Sequence, residues 1–263
     1  MSPAPRRSKA PPRKDALAER LGYFEASRRP LETLFFLLPM VVLYEIGLSR
    51  WLSHGTEVVT NRAHGGVVGL FRVAGVRAET LGLPLLALPA VGLLGTIVAW
   101  QLIGRFPWSM RWSAVAGMWL ESLALAVPLI PLGMLANGAW RSAMASAGPA
   151  LDGMDAVSRG LMAVGAGVYE ELVFRMGIMS AIHMLLADVA GWKGSGPWIT
   201  AMLASAAMFA AYHPVDGLQG AEVWWRYGFL AVAGVWFGVI YHWRGFGVAA
   251  GTHALYDVMA LLR

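Results

Sequence analysis

Long apolar runs separated by short polar stretches dominate the pattern of this 263-residue chain. A helix needs about 20 apolar residues to cross the hydrocarbon core of a bilayer. Runs of this kind predict spans at about residues 31–52, 82–103, 113–135, 160–186, 198–213, 227–241 and 246–262. The pattern therefore predicts an all-α fold, a polytopic transmembrane helical bundle with about seven to eight spans.

Two stretches of the chain do not fit a span. Residues 53–80 carry Arg62, Arg72 and Arg77 and are too charged to cross alone, so we predict an external loop with an interfacial or re-entrant helix. Residues 1–29 are rich in Pro, Ala, Arg and Lys, which predicts a basic leader that is disordered or lies on the cytoplasmic membrane surface. The remainder, residues 30–263, is predicted to be one membrane-embedded domain.

Composition narrows the class of protein further. Hydrophobic residues make up 57% of the chain and charged residues only 14%, which excludes an ordinary soluble domain. The net charge of +5 is concentrated in the leader and the short loops, as membrane topology requires, so we expect a lipid bilayer and not nucleic acid as the partner. The chain has no cysteine, which excludes thiol catalysis and disulfides. We expect a multi-pass integral protein of the cell (inner) membrane.

One predicted span contains three charged residues, Glu170, Glu171 and Arg175. Each charge at the centre of a bilayer costs roughly 2.5–3.5 kcal/mol on insertion scales, so the group needs a compensating role. Glu171 and Arg175 are four residues apart and can pair on one helix face. Glu170 is rotated by about 100° from Glu171. The spacing predicts one carboxylate held in an ion pair and another free for chemistry.

Two further polar motifs lie on apolar helices downstream. Phe209 and His213 are four residues apart, as are His253 and Asp257, so each pair shares a helix face. Small residues surround all three motifs and let helix backbones approach closely, which predicts convergence on one polar intramembrane cavity. The buried acids Glu45 and Glu121 fit better as structural partners between helices, with Arg175 as one candidate partner.

The three motifs together resemble a known family. Glu170-Glu171-x-x-x-Arg175, Phe209-x-x-x-His213 and His253-x-x-x-Asp257 are similar in order and spacing to the CPBP family of intramembrane endopeptidases, also called the Abi or type II CAAX protease family. The resemblance covers the motif-bearing core, about residues 157–263. Asp257 stands where many relatives have Asn.

The resemblance implies an intramembrane endopeptidase that acts on a membrane-associated or lipid-modified protein or peptide. Glu170 and His213 would activate a water molecule, and His253 would donate to the developing oxyanion. Asp257 would lie behind His253, either as a polar support or as the group that orients the imidazole. Glu171 with Arg175 would hold Glu170 in register.

Several alternatives stay open at this point. An older view of the family implies a metalloprotease in which Glu170, His213 and His253 bind zinc, a plausible catalytic set. The sequence has no His-Glu-x-x-His helix, so we favour no cofactor over zinc. The other classes are a non-catalytic immunity or scaffold protein with the same fold, and a proton-coupled transporter. No internal repeat supports the transporter.

Overall fold

The computed structural model describes residues 22–54, 57–135, 154–215 and 218–261. The first part of the predicted leader, residues 1–21, lies outside these ranges. Residues 136–153, between the third and fourth predicted spans, also lie outside them.

The described part of the chain is almost entirely helical. The N-terminal half contains α1 (Tyr23–Ala26), α2 (Pro30–Arg50), α3 (Arg62–Val73), α4 (Leu88–Ile103), α5 (Trp112–Ala126) and α6 (Leu129–Leu135), with a two-residue antiparallel pair, β1 (Ser53–His54) and β2 (Glu57–Val58), before α3. The C-terminal half contains α7 (Ala156–Glu171), α8 (Ser180–Met184), α9 (Gly196–Tyr212), α10 (Ala221–Arg244) and α11 (Phe246–Leu261). Short 3₁₀ turns, Ala78–Leu81 and Leu85–Ala87, precede α4, and π-helical segments, Leu172–Met179 and Leu185–Val189, flank α8.

Five helices within the described ranges are long and apolar enough to cross a membrane: Pro30–Arg50, Leu85–Ile103, Trp112–Met134, Ala156–Val189 and Ala221–Arg244. The prediction of a helical membrane bundle is confirmed. The other two predicted spans, α9 and α11, have only 17 and 16 residues. Such helices are about 25 Å long and fall short of a hydrocarbon core of about 30 Å.

Helix α11 lies inside the bundle and packs mainly against α7 and α5, and also against α10 and α2. Its small residues Ala249 and Ala250 are fully buried. A Cβ atom added to Gly167 of α7 would lie 2.3 Å from the backbone nitrogen of Ala254 in α11. Because no side chain separates these two backbones, the end of α7 lies directly beside His253.

Residues just before the predicted boundary at residue 30 contact the helical bundle. Helix α1 starts at Tyr23, and Arg29 is only 5% exposed. One terminal nitrogen of Arg29 donates hydrogen bonds to the carbonyl oxygens of Pro107 (2.7 Å) and Ser109 (2.8 Å). Glu32 pairs with the same guanidinium at 3.3 Å. Arg29 therefore holds the loop between α4 and α5.

The two additional acids, Glu45 and Glu121, are half-buried and have structural partners, as expected, but Arg175 is not one of them. Tyr169 donates a hydrogen bond to Glu45 at 3.0 Å. Glu121 accepts hydrogen bonds from Tyr23 (2.6 Å) and from Arg244 of α10 (2.8 Å). Arg175 was the wrong candidate because its guanidinium is enclosed beside Glu171.

Candidate active site

Three side chains from three helices meet in one buried cluster. Glu170 lies in the last turn of α7, His213 directly follows α9, and His253 lies in the middle of α11. Oε2 of Glu170 is 3.5 Å from Nε2 of His213 and 4.0 Å from Nε2 of His253. Glu170 and His253 are 5% and 4% exposed, so the cluster lies inside the protein.

The hydrogen bonds of His213 determine which of its nitrogens is free. Its backbone leaves the helix in an extended conformation, and the ring folds back so that Nδ1 lies 2.8 Å from the carbonyl oxygen of Phe209. A carbonyl oxygen only accepts, so Nδ1 carries the proton. In the neutral ring Nε2 then presents a lone pair toward Glu170.

The two oxygens of Glu170 have different surroundings. Oε1 accepts a hydrogen bond from Nδ2 of Asn61, at 3.3 Å. Oε2 is buried and receives no hydrogen bond from the described part of the chain. Two acceptors, Oε2 of Glu170 and Nε2 of His213, therefore face each other. A group that donates protons, such as a water molecule, is what this geometry would bind.

His253 lies between carboxylates. Its Nδ1 is 3.0 Å from Oε1 of Glu171, and its Nε2 is 3.5 Å from Oδ2 of Asp257. The ring of Phe237 stacks on the imidazole with centroids 4.4 Å apart and fixes its plane. Because carboxylates face both nitrogens, the doubly protonated imidazolium is the form that satisfies both contacts.

Glu171 and Arg175 form the ion pair that their spacing predicts. Nε of Arg175 lies 3.2 Å from Oε2 of Glu171, and both side chains are fully buried. Arg175 also donates to Oγ of Ser205 at 3.1 Å, and Ser205 in turn donates to the carbonyl oxygen of Phe174 at 2.6 Å. The guanidinium carbon lies 5.0 Å from the ring centre of Phe209. Arg175 thus links the helix that carries the two glutamates to α9.

The backbone changes form where the charged motif ends. Helix α7 is α-helical through Glu171, and Leu172–Met179 is a π-helix. Single-turn π-bulges are frequent at functional sites, and here the wider segment runs on for eight residues. In this region the Phe174 carbonyl receives the Ser205 hydroxyl from the neighbouring helix. The sequence gives no sign of this change.

All six residues singled out in the sequence lie in this cluster: Glu170, Glu171, Arg175, His213, His253 and Asp257. One expected relationship is different. Glu171, not Asp257, contacts Nδ1 of His253, whereas Asp257 faces Nε2 on the same side as Glu170. The reason is that α7 and α11 touch at Gly167 and bring Glu171 to the far nitrogen of the ring.

Two residues that contact the cluster, Asn61 and Ser205, are not indicated by the sequence motifs. Asn61 immediately precedes α3 and caps its first turn, and an asparagine before a helix is a recognisable start signal. That signal indicates a cap but not a contact with Glu170. Ser205 is a single hydroxyl on an apolar helix, and no local pattern distinguishes it from a packing residue.

His64 packs behind the cluster, on α3 and outside the spanning helices. It is fully buried, with its ring edge-on to Tyr44 and Tyr169. Its Nε2 lies 2.9 Å from the carbonyl oxygen of Leu86. Burial lowers the pKa of His64 from its ordinary value, so the ring is neutral and Nε2 donates to that carbonyl. This contact fixes the side of α3 that faces α7.

The zinc alternative can be compared with this geometry. Catalytic zinc needs three protein ligands that each approach the ion within about 2.0–2.2 Å. Within the described ranges, no group of three or more His, Asp or Glu side chains has an arrangement that could hold a metal ion. The arrangement of the described side chains therefore gives no support to a zinc site.

Comparison with known proteins gives one match. Residues 154–259 match the family model described as type II CAAX prenyl endopeptidase Rce1-like, which confirms the resemblance seen in the three motifs. The matched segment begins just before α7 and ends within α11, and it contains all six residues of the cluster. No curated protein and no solved structure matches the chain.

Proposed function

Because residues 154–259 of this integral membrane protein match the model of the Rce1-like type II CAAX prenyl endopeptidases, we propose that the chain is an intramembrane endopeptidase. Its substrate would be a membrane-associated or lipid-modified peptide. The observation that carries the proposal is the pair of acceptors, Oε2 of the buried Glu170 and Nε2 of the partly buried His213, 3.5 Å apart. Such a pair can bind and deprotonate one water molecule.

In the proposed reaction, the water oxygen attacks the scissile carbonyl carbon while one water proton moves to Glu170. His213 accepts the second hydrogen bond of the water and orients it, since Nδ1 is held by the Phe209 carbonyl. The C–N bond of the tetrahedral intermediate then breaks. Glu170 passes its proton to the leaving nitrogen, which regenerates the carboxylate and releases an amine and a new C-terminal carboxyl group.

His253 would stabilise the negative oxygen of that intermediate. As an imidazolium it carries a proton on Nε2, which lies 4.0 Å from Oε2 of Glu170. A donor that is fixed before the reaction costs little reorganisation when charge develops on the carbonyl oxygen. Phe237 and Glu171 hold the ring, and the nearby carboxylate of Asp257 favours its charged form.

The two open alternatives have less support. A non-catalytic immunity or scaffold protein would not need a desolvated carboxylate beside a correctly oriented imidazole. A proton-coupled transporter would need a relay toward both membrane faces, whereas the polar groups of the site form one compact cluster. The family match gives no support to either class.

The proposal is tested with purified full-length protein in liposomes and a farnesylated peptide that ends in Cys-aliphatic-aliphatic-Xaa. A fluorophore and a quencher flank the bond after the cysteine, and mass spectrometry identifies the fragments. We expect the wild type to release a C-terminal fragment and His213→Ala to release none. Equal cleavage by both proteins would contradict the proposed chemistry, and no cleavage by the wild type would contradict the proposed substrate class.

A further inference from the structure

The hydrogen bonds of Asn61 connect the start of α3 to Glu170. Its side-chain oxygen accepts hydrogen bonds from the backbone nitrogens of Ala63 (2.8 Å) and His64 (3.4 Å), which caps α3. Its backbone nitrogen donates to the hydroxyl of Tyr44 at 3.1 Å. Its side-chain nitrogen, Nδ2, donates to Oε1 of Glu170. With both ends of the amide engaged and only 8% of the residue exposed, the side chain has one orientation.

The next residue reaches the other half of the site. NH1 of Arg62 donates to the carbonyl oxygen of Tyr212 at 3.0 Å. The guanidinium carbon of Arg62 lies 4.8 Å from the centre of the Tyr212 ring, within the range of a cation–π interaction. Tyr212 immediately precedes His213. Two adjacent residues therefore contact Glu170 directly and the backbone beside His213.

We propose that the N-terminus of α3, Asn61 and Arg62, is a positioning element that fixes the separation between Glu170 and His213. The inference rests on the proposed function. Both residues lie outside the family match at 154–259, so the family motifs do not include them.

The physical reason lies in the symmetry of a carboxylate. Its two oxygens are chemically equivalent, and the terminal torsion of glutamate is broad. The Asn61 amide holds Oε1, and this leaves Oε2 directed at His213 and His253. A neutral amide also holds the carboxylate without the charge compensation that an arginine would supply. Oε2 of Glu170 is thus not tied up in an ion pair with an arginine and stays available to accept a proton.

The first test replaces the amide but keeps the helix cap. Asn61→Ser can still cap α3, since serine is a preferred N-cap residue, but its side chain is too short to reach Glu170. We expect kcat on the farnesylated peptide to fall about tenfold or more, as for other groups that orient active-site ligands, with KM changed less than about twofold. The control is Gln101→Ala, which removes another buried amide, one that donates to the loop carbonyls of Phe106 and Pro107 far from the cluster in sequence.

Arg62 is tested against a matched arginine on the same helix. Arg62→Ala removes the contact with Tyr212, whereas Arg72→Ala changes an exposed arginine in the last turn of α3. We expect a fall in kcat for Arg62→Ala alone. In the double variant with Asn61→Ser, we expect a loss smaller than the product of the two single losses, because both act on one geometry.

An infrared measurement tests the contact without relying on turnover. The carboxyl band of Glu170 is identified as the band that Glu170→Gln removes. We expect this band to shift in Asn61→Ser and to stay in place in Gln101→Ala.

The outcomes separate the two proposals. If the wild type cleaves the peptide and Asn61→Ser keeps its kcat, the positioning role is wrong while the endopeptidase stands. If the wild type cleaves nothing, the proposed substrate class is wrong. The positioning contact is then judged by the infrared band, and an unchanged band in Asn61→Ser overturns it.

Discussion

Nδ1 of His253 lies 3.0 Å from Oε1 of Glu171, although 82 positions separate the two residues in the chain. The other oxygen of Glu171 pairs with Arg175 at 3.2 Å. The neighbouring Glu170 instead directs one oxygen into the pocket. The two consecutive glutamates therefore have different tasks: Glu171 holds the framework, and Glu170 is available for chemistry.

Glu171→Gln is predicted to lower kcat. The amide cannot accept from both His253 and Arg175 with its two ends, since one end is a donor. His253 would lose its fixed orientation, and we expect kcat to fall about 10–100-fold, as for other supporting hydrogen bonds at active sites. The measurement is peptide cleavage at saturating substrate. Glu222→Gln, in the first turn of α10, is the control, and equal kcat values for the two variants would exclude a role for Glu171.

Glu170→Gln is predicted to remove most activity while the protein stays folded. A general base contributes about 10²–10⁴-fold to rate, so kcat/KM should fall by that factor. The glutamine side chain can still accept the hydrogen bond from Asn61. The substitution also removes a buried carboxylate that is not directly paired with Arg175. We therefore expect the thermal unfolding temperature to be equal to or above that of the wild type. Retained turnover, or a protein that no longer folds, would contradict this assignment.

Local relationships in the site could be predicted from the sequence. The pairs Glu171–Arg175 and His253–Asp257 follow from a spacing of four residues, because helical geometry brings such side chains together. The partner of Nδ1 of His253 could not be predicted in this way. It depends on how closely α7 and α11 approach, and that distance is set by tertiary packing at Gly167.

The same limit applies to the fold. Apolar runs predict helices of spanning length because the bilayer fixes the length that is required. The side-chain contacts between helices could not be predicted in this way. Glu121 pairs with Arg244, a partner that no local spacing indicates. Arg29 is buried, although it lies in a stretch whose composition is typical of a basic leader. Asn61 gives a cap signal, but its contact with Glu170 spans 109 positions.

Gly167→Ala is predicted to destabilise the protein and to reduce activity. The new Cβ atom would lie 2.3 Å from the backbone of Ala254, so α11 must shift and His253 with it. Overpacking of this kind costs about 1–3 kcal/mol. Gly160→Ala is the matched control on the same helix, because nothing lies within 4 Å of its Cβ position, and it should gain up to about 1 kcal/mol in helix propensity.

Unfolding of both glycine variants is measured in mixed detergent micelles, together with kcat. Equal free energies of unfolding for Gly167→Ala and Gly160→Ala would show that the two backbones are not in contact. That result would also remove the explanation for how Glu171 reaches His253.

His64 predicts a pH dependence of stability. Burial lowers the pKa of His64 in the folded protein, whereas the unfolded chain keeps the ordinary value of about 6.5. Below that pH the unfolded state binds the proton first, so the free energy of unfolding falls as the solution becomes more acidic. His64→Gln can still donate to the Leu86 carbonyl but cannot be protonated. We expect a smaller acid loss of stability in this variant, and an unchanged slope would contradict the prediction.

Removal of metal ions is predicted to leave peptide cleavage intact. The sequence has no His-Glu-x-x-His helix, and within the described ranges no group of three His, Asp or Glu side chains has an arrangement that could hold a metal ion. We therefore expect kcat after treatment with 1,10-phenanthroline to equal that after its non-chelating 1,7 isomer. Elemental analysis of the purified protein accompanies the assay. If chelation abolishes cleavage and added Zn²⁺ restores it, the three side chains must rearrange around an ion, and Glu170 acts as a ligand rather than as the base.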